Sequence, residues 1–172
     1  MSRSARTKVV TRSAAARLVR AAQRRGERVV FTSGCFDLLH VGHVRSLEEA
    51  RGMGDRLVVG VNADARVREL KGEGRPVLPA RQRAELVGAL ACTDWVFAFA
   101  ESTPRRSIDA IRPDVYAKGG DWPLATLRAL DAPPGWDGSI RRLRQVPGVR
   151  STTIVEAVRA RRSLARAEGA KR

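Results

Sequence analysis

The chain has 172 residues, 43% of them apolar, which fits one domain with its own core and excludes wholesale disorder. Cys35 and Cys92 are too few for a disulfide scaffold and too widely spaced for a zinc knuckle. No run approaches the length of a membrane span, and the basic N-terminus is not followed by an apolar signal core, so a reducing, cytoplasmic setting is expected.

The 33 Lys and Arg against 18 Asp and Glu leave a formal charge of +15, which attracts polyanions without identifying one. Much of that excess lies near the chain ends. Residues 1–12 therefore read as a flexible basic arm, 13–162 as a single domain and 163–172 as a basic tail.

Ser13 to Arg25 has helix formers with apolar residues at helical spacing, and Gly26 stops it. RVVFTSG, residues 28–34, reads as a buried strand, and His43 to Arg51 as a helix with Val44, Leu47 and Ala50 on one face. RLVVGVN, residues 56–62, is the next strand, completing one βαβ unit. The rhythm repeats with a helix from Ala80 to Ala91, a strand over residues 95–99, and a helix opened by a Thr103 cap and Pro104 at its first position. PDVYAKGG, residues 113–120, supplies a further strand. After an irregular stretch around Asp131 to Gly138, SIRRLRQV is a candidate last strand, and Ser151 starts a final helix.

This alternation predicts a three-layer α/β domain with a mainly parallel sheet, whose ligands bind at the carboxyl ends of the strands. Cys35 to His43, Asn62 to Arg75, Glu101 to Pro104 and Lys118 to Trp122 all follow predicted strands.

Four segments there have the composition of an anion site. In FTSGCFDLLHVGHVRSL, His40 and His43 are three apart at a strand-to-helix turn, so both imidazoles can face one ligand near a helix N-terminus that itself attracts phosphate. Gly34 and Gly42 permit close backbone approach. Lys71, Arg75, Arg81 and Arg83 cluster around two glycines. Lys118 precedes the flexible pair Gly119 and Gly120 and then Asp121 and Trp122, while Ser151 and Thr152 add hydroxyls at a helix start. Each has a plainer explanation as cap, core or solvated loop, but both histidines of the chain fall within one phrase.

GCFDLLHVGH resembles the sugar- and alcohol-phosphate branch of the HxGH nucleotidyltransferase superfamily. LKGEGRPVLPARQR is similar to the LKGxxRPVxPxxxR stretch of the bacterial heptose-phosphate adenylyltransferases, and STPRRSIDAIRPDVYAKGGDW to their ExTPxxLIxxIxPDVxVKGGDY phrase, with Trp122 replacing the usual Tyr and Tyr116 at an apolar strand position. The resemblance covers residues 14–162 and is weakest over 123–149. Its nearest form is the standalone D-glycero-β-D-manno-heptose 1-phosphate adenylyltransferases, since no kinase domain fits in this length.

The resemblance implies a Rossmann-like nucleotidyltransferase fold and transfer of the adenylyl group of ATP to a sugar 1-phosphate. It assigns His40, His43, Lys71 and Lys118 to catalysis. Gly34, Phe36, Gly119, Ser151 and Thr152, together with the histidines, fall to the nucleotide. Asp37, Arg83, Asp121 and Trp122, together with both lysines, fall to the acceptor. Magnesium would arrive on the ATP phosphates, with no protein residue assigned as a metal ligand. The resemblance also implies a homodimer.

Three other readings stand beside this one. A glycerol-phosphate cytidylyltransferase shares the HxGH architecture and would prefer CTP. A nucleic-acid-binding module would use the positive charge but would not require HVGH and KGGD at strand ends; nucleic acid and membrane are not expected partners. A fold-retaining regulatory protein would bind ligand without turnover.

Overall fold

The structure, a computed structural model, describes residues 4–120 and 122–169, the side chains of Arg159 and of residues 162–169 excepted. Its strands are β1 (Val29–Gly34), β2 (Arg56–Asn62), β3 (Trp95–Phe99), β4 (Val115–Gly119) and β5 (Ser139–Leu143). They form one sheet in the order β3-β2-β1-β4-β5, and every pairing is parallel. The helices are α1 (Ala5–Lys8), α2 (Arg12–Gln23), α3 (Val41–Arg51), α4 (Asp64–Lys71), α5 (Ala80–Ala89), α6 (Arg105–Ile111), α7 (Leu124–Asp131) and α8 (Ser151–Gly169).

Strands buried on both faces need apolar residues at consecutive positions, and β1 and β2 supply them as VVF and LVV. On one face Val29, Phe31, Val58, Phe97 and Tyr116 meet Ala15, Val19 and Ala22 of α2, Ile108 and Ile111 of α6, and Leu127 of α7. On the other, Val30, Leu57, Val59 and Val115 meet Leu47 and Ala50 of α3 and Ala84 and Val87 of α5. The result is the expected three layers. Phe31 anchors the centre, its ring 5.9 Å from Phe97 and 5.8 Å from Tyr116. Full burial of such a side chain stabilises the fold by about 1.5–3 kcal/mol.

The chain runs outward from β1 to β2 and β3, then returns past β1 to β4 and β5. The reversal lies between β1 and β4, where diverging connections leave a crevice at the carboxyl edge.

Several details differ from the sequence expectation. Part of the arm expected to be flexible is docked: Val9 bridges Val96, Val10 N donates to the Val96 carbonyl at 2.8 Å, and Lys8 Nζ donates to the Leu90 carbonyl. The edge strand β3 offers unpaired backbone groups, and this segment satisfies some of them. Helices α4 and α7 were not evident from periodicity, because each buries only one apolar residue, Val67 and Leu127. Pro104 is the N-cap of α6 rather than its first residue, and Thr103 Oγ1 sits 3.5 Å from Arg105 N, the limit of a hydrogen bond. No helix among the described residues is long and apolar enough to cross a membrane.

Candidate active site

The turn from β1 into α3 builds the first wall. Phe36 adopts φ 47°, the left-handed region that costs a non-glycine residue about 1 kcal/mol or more. This conformation accompanies a buried ring that packs over Gly34, where a Cβ would stand 3.1 Å from it, and lies 5.2 Å from His43. Gly34 and Phe36, expected at the nucleotide, thus pack on each other behind the histidines.

His40 caps α3 with φ −142°, and His43 occupies the helix's first turn. Their rings stack at 3.8 Å with 22° between planes. Both Nδ1 atoms are buried without a hydrogen-bond partner among the described residues. Burial, then His40, then Lys71 push the His43 imidazole down to about 4, the Leu38 carbonyl and Asp37 only partly opposing this. Burial and Lys71 also lower His40. Two stacked imidazoles beside an ammonium cannot all hold charge without a counter-ion, so the site has an electrostatic demand for an anion.

A cavity of about 390 Å³ opens in front of this pair, lined by His40, His43, Lys71, Gly119, Gly120, Ser151 and Thr152. The first backbone N–H groups of α3 and α8 have no intrahelical acceptors, which suits both ends to phosphate. Lys71 Nζ donates to Ser151 Oγ at 2.7 Å, and Arg75 Nη2 donates to the same oxygen at 3.0 Å. Burial lowers the Lys71 ammonium. Among the described residues no group of three or more His, Cys, Asp or Glu is arranged to hold a metal ion.

Two residues expected at the acceptor are tied into the protein around them. Asp37 is fully buried; its Oδ2 lies 2.7 Å from Arg75 Nε, and its Oδ1 accepts from Val77 N at 2.6 Å. These contacts hold it against the loop after α4. Arg83 is also fully buried, on the inner face of α5. It donates to the carbonyls of Leu78, Cys35 and Asn62 and to Asp64 Oδ1, so its guanidinium ties the ends of β1 and β2 to the α5 N-terminus. A buried charge needs such partners, and four of its five N–H donors are used by them.

Lys118 and Trp122 line a second cavity of about 290 Å³ on the α6 and α7 side of the sheet. Burial lowers the Lys118 ammonium, with Asp131 and Cys35 opposing. Trp122 is half exposed, its ring edge 3.1 Å from where a Gly120 Cβ would stand. Asp121 lies outside the described residues. Ser33, Asn62, Arg66 and Asp131 join this cavity, and Arg150, Gln145 and Ser46 the first, none of them assigned a site role from sequence. Asn62 ends β2 and Arg66 follows it, but Asp131, at the end of α7, opens the irregular stretch before β5 and carried no signal.

The end of β4 separates the two cavities, Lys118 facing one and Gly119 and Gly120 the other. A crevice with a histidine pair, two helix N-termini and a neighbouring lysine-bearing cavity at the switch point defines an α/β protein built for phosphate-bearing ligands. The chain belongs to the cytidylyltransferase-like family, whose sequence model matches residues 31–162. It is 47% identical over 152 residues to the bifunctional protein HldE of Koribacter versatilis, covering 88% of this chain and 31% of that protein. Against the bifunctional protein HldE of Syntrophotalea carbinolica the identity is 46% over 136 residues, covering 79% and 28%. The chain therefore spans about a third of the length of the curated relatives it matches. The lipopolysaccharide core biosynthesis protein of Thermoplasma volcanium superposes with a TM-score of 0.64 at 27% identity, covering 70% of this chain and 99% of that one.

Proposed function

We propose that the chain transfers the adenylyl group of ATP to heptose 1-phosphate, yielding ADP-heptose and pyrophosphate. The observation that carries this reading is the stacked His40–His43 pair, which faces Lys71, Ser151 and the glycines after Lys118 across one cavity. The similarity to HldE proteins and to a lipopolysaccharide core biosynthesis protein supports the choice of acceptor.

In this reading an oxygen of the acceptor phosphate attacks the α-phosphorus of ATP in line. A new P–O bond forms as the bond to the β-phosphate bridging oxygen breaks, and pyrophosphate leaves with that electron pair. The acceptor phosphate is already largely ionised near neutral pH, so no general base is required. His40, His43 and Lys71 spread the charge developing on the α- and β-phosphates, while Lys118 orients the acceptor from the second cavity. Gly119, Thr152 and the α8 N-terminus border the nucleotide.

The polar side chains lining the first cavity are histidines, a lysine, an arginine, an amide and hydroxyls, with no carboxylate among the described residues. Such donors fit phosphate oxygens rather than a bare cation, so magnesium would enter on the triphosphate and supply charge neutralisation there. Residues 13–162 act as one catalytic domain in this reading. A cytoplasmic setting, where ATP is available, and a homodimer complete it.

The test is pyrophosphate release by purified protein with magnesium, pairing ATP or CTP with heptose 1-phosphate or glycerol 3-phosphate. Release confined to ATP with heptose 1-phosphate is the expected result. Productive CTP with glycerol 3-phosphate would replace it with the cytidylyltransferase reading, and silence in all four pairs would overturn both.

A further inference from the structure

The second cavity contains polar groups that the fold itself does not use. Ser33 Oγ, at the carboxyl end of β1, is buried and has no hydrogen-bond partner among the described residues, and the same holds for Arg66 Nε. Asp131, at the end of α7, is 5% exposed. Its Oδ2 accepts a hydrogen bond from the Tyr116 hydroxyl at 2.8 Å, and Oδ1 takes none among the described residues.

Tyr116 is held rigidly, fully buried and stacked 5.8 Å from Phe31. Burial and Asp131 push its phenol far above the ordinary range, the neighbouring Ser33 hydroxyl only partly opposing, so it stays a donor and fixes the carboxylate's orientation. A neutral apolar residue at position 116 would leave Asp131 without this support. The pairing joins two features that stand apart in the sequence, a tyrosine in an apolar strand and a carboxylate at the end of α7.

The cavity therefore combines Lys118 and the Glu69-paired Arg66 with an oriented carboxylate and the Ser33 hydroxyl, between apolar walls from Leu70, Phe99, Leu127 and Leu130. A phosphate fits the cations and is repelled by Asp131. A sugar hydroxyl is the complementary group for Asp131, because an ionised carboxylate only accepts hydrogen bonds and those bonds are among the stronger ones. The volume of about 290 Å³ lies near the low end of small-ligand sites.

We propose that the Tyr116–Asp131 pair selects the acceptor: Tyr116 positions the carboxylate, and Asp131 Oδ1, helped by Ser33, receives ring hydroxyls of a polyhydroxylated sugar phosphate whose phosphate lies toward Lys118. This rests on the reading of the chain as a nucleotidyltransferase with a phosphorylated acceptor, and it adds the residues that distinguish a sugar from a short polyol.

The test compares wild type with Asp131→Asn, Tyr116→Phe and the double variant. Steady-state KM is measured for heptose 1-phosphate and for ATP, and calorimetry gives direct binding of heptose 1-phosphate and glycerol 3-phosphate. Asp131→Asn is expected to weaken heptose 1-phosphate by roughly 10- to 100-fold, the range of a hydrogen bond to a charged group. Tyr116→Phe should weaken it by about 3- to 10-fold, the usual range of one neutral hydrogen bond. Binding of glycerol 3-phosphate and KM for ATP should change less than about twofold. The double variant should fall close to Asp131→Asn alone, since Tyr116 acts through that carboxylate.

Unchanged heptose 1-phosphate affinity in folded Asp131→Asn, or equal losses for both phosphates, would overturn the proposal. If Asp131→Asn does not fold, Tyr116→Phe, which removes one hydroxyl, decides alone by the same criteria. A wild type that binds heptose 1-phosphate with this selectivity but releases no pyrophosphate would sink the reaction and leave the acceptor pair standing. A wild type that binds neither phosphate would sink the acceptor pair.

Discussion

Gly42 lies against the His40 ring: a Cβ at position 42 would stand 3.0 Å from both Cε1 and Nδ1 of His40 and 3.6 Å from the Val149 carbonyl. The glycine between the two histidines thus has a steric role, since a methyl group there would require the His40 ring to give by a few tenths of an ångström. Gly42→Ala is expected to lower kcat by about 3- to 10-fold, less than the loss from a full 1 Å misplacement. Its effect on thermal stability should be modest. Turnover within twofold of wild type would show that the stacked arrangement is not needed.

Removing His43 should separate chemistry from folding. His43→Ala is expected to reduce turnover by about 10²- to 10³-fold, the usual loss on deleting one donor to a developing charge. Retained turnover, or inactivity explained wholly by loss of the folded state in circular dichroism, would exclude the assigned role.

The same residue sets a pH dependence. Its imidazole is near 4 in the folded chain against an ordinary 6.5, so between those values the unfolded state binds a proton that the native state does not. Stability is therefore complete above pH 6.5 and falls as the pH drops toward 4, by up to about 3 kcal/mol. Urea midpoints at pH 7 and pH 4.5 measure this, and His43→Ala should narrow the difference. A triphosphate beside the pair would raise the imidazole, so ATP binding near pH 6 should take up protons, read from calorimetry in buffers of different ionisation enthalpy.

Asp37 and Arg83 should behave as structural residues. Asp37→Ala would leave Arg75 buried without its counter-charge, at a cost of about 3–5 kcal/mol. Arg83→Met would strip donors from three carbonyls and Asp64, with a loss of similar size. Denaturation midpoints provide the check. Fully stable variants with a raised KM for substrate would return these residues to the ligand.

Lys71 and Ser151 share a 2.7 Å hydrogen bond across one cavity wall. Lys71→Met should raise KM for ATP or lower kcat by about 10- to 100-fold, consistent with loss of a charged donor to phosphate. Ser151→Ala should cost less, because the lysine remains. Strictly additive losses in the double variant would indicate that the pair does not act together.

The layer arrangement was legible along the chain because β1, β2 and β3 contain consecutive apolar runs and α2, α3 and α5 have stripes or glycine stops that local chemistry explains. The histidine pair was equally legible, since three-residue spacing at a strand-to-helix turn brings both rings to one end. Helices α4 and α7 were not, because one buried apolar residue apiece leaves no period to read. Neither was the fate of Asp37 and Arg83. A charged residue near a glycine-rich loop looks alike in sequence whether it faces a ligand or a buried counter-ion, and only the folded chain brings Arg75 to Asp37 and the carbonyls of Cys35 and Asn62 to Arg83. Local pattern determined which elements form and where the strands end. The tertiary structure decided which polar side chains face the cavities, because their partners lie far along the chain, as Tyr116 with Asp131 and Lys71 with Ser151 illustrate.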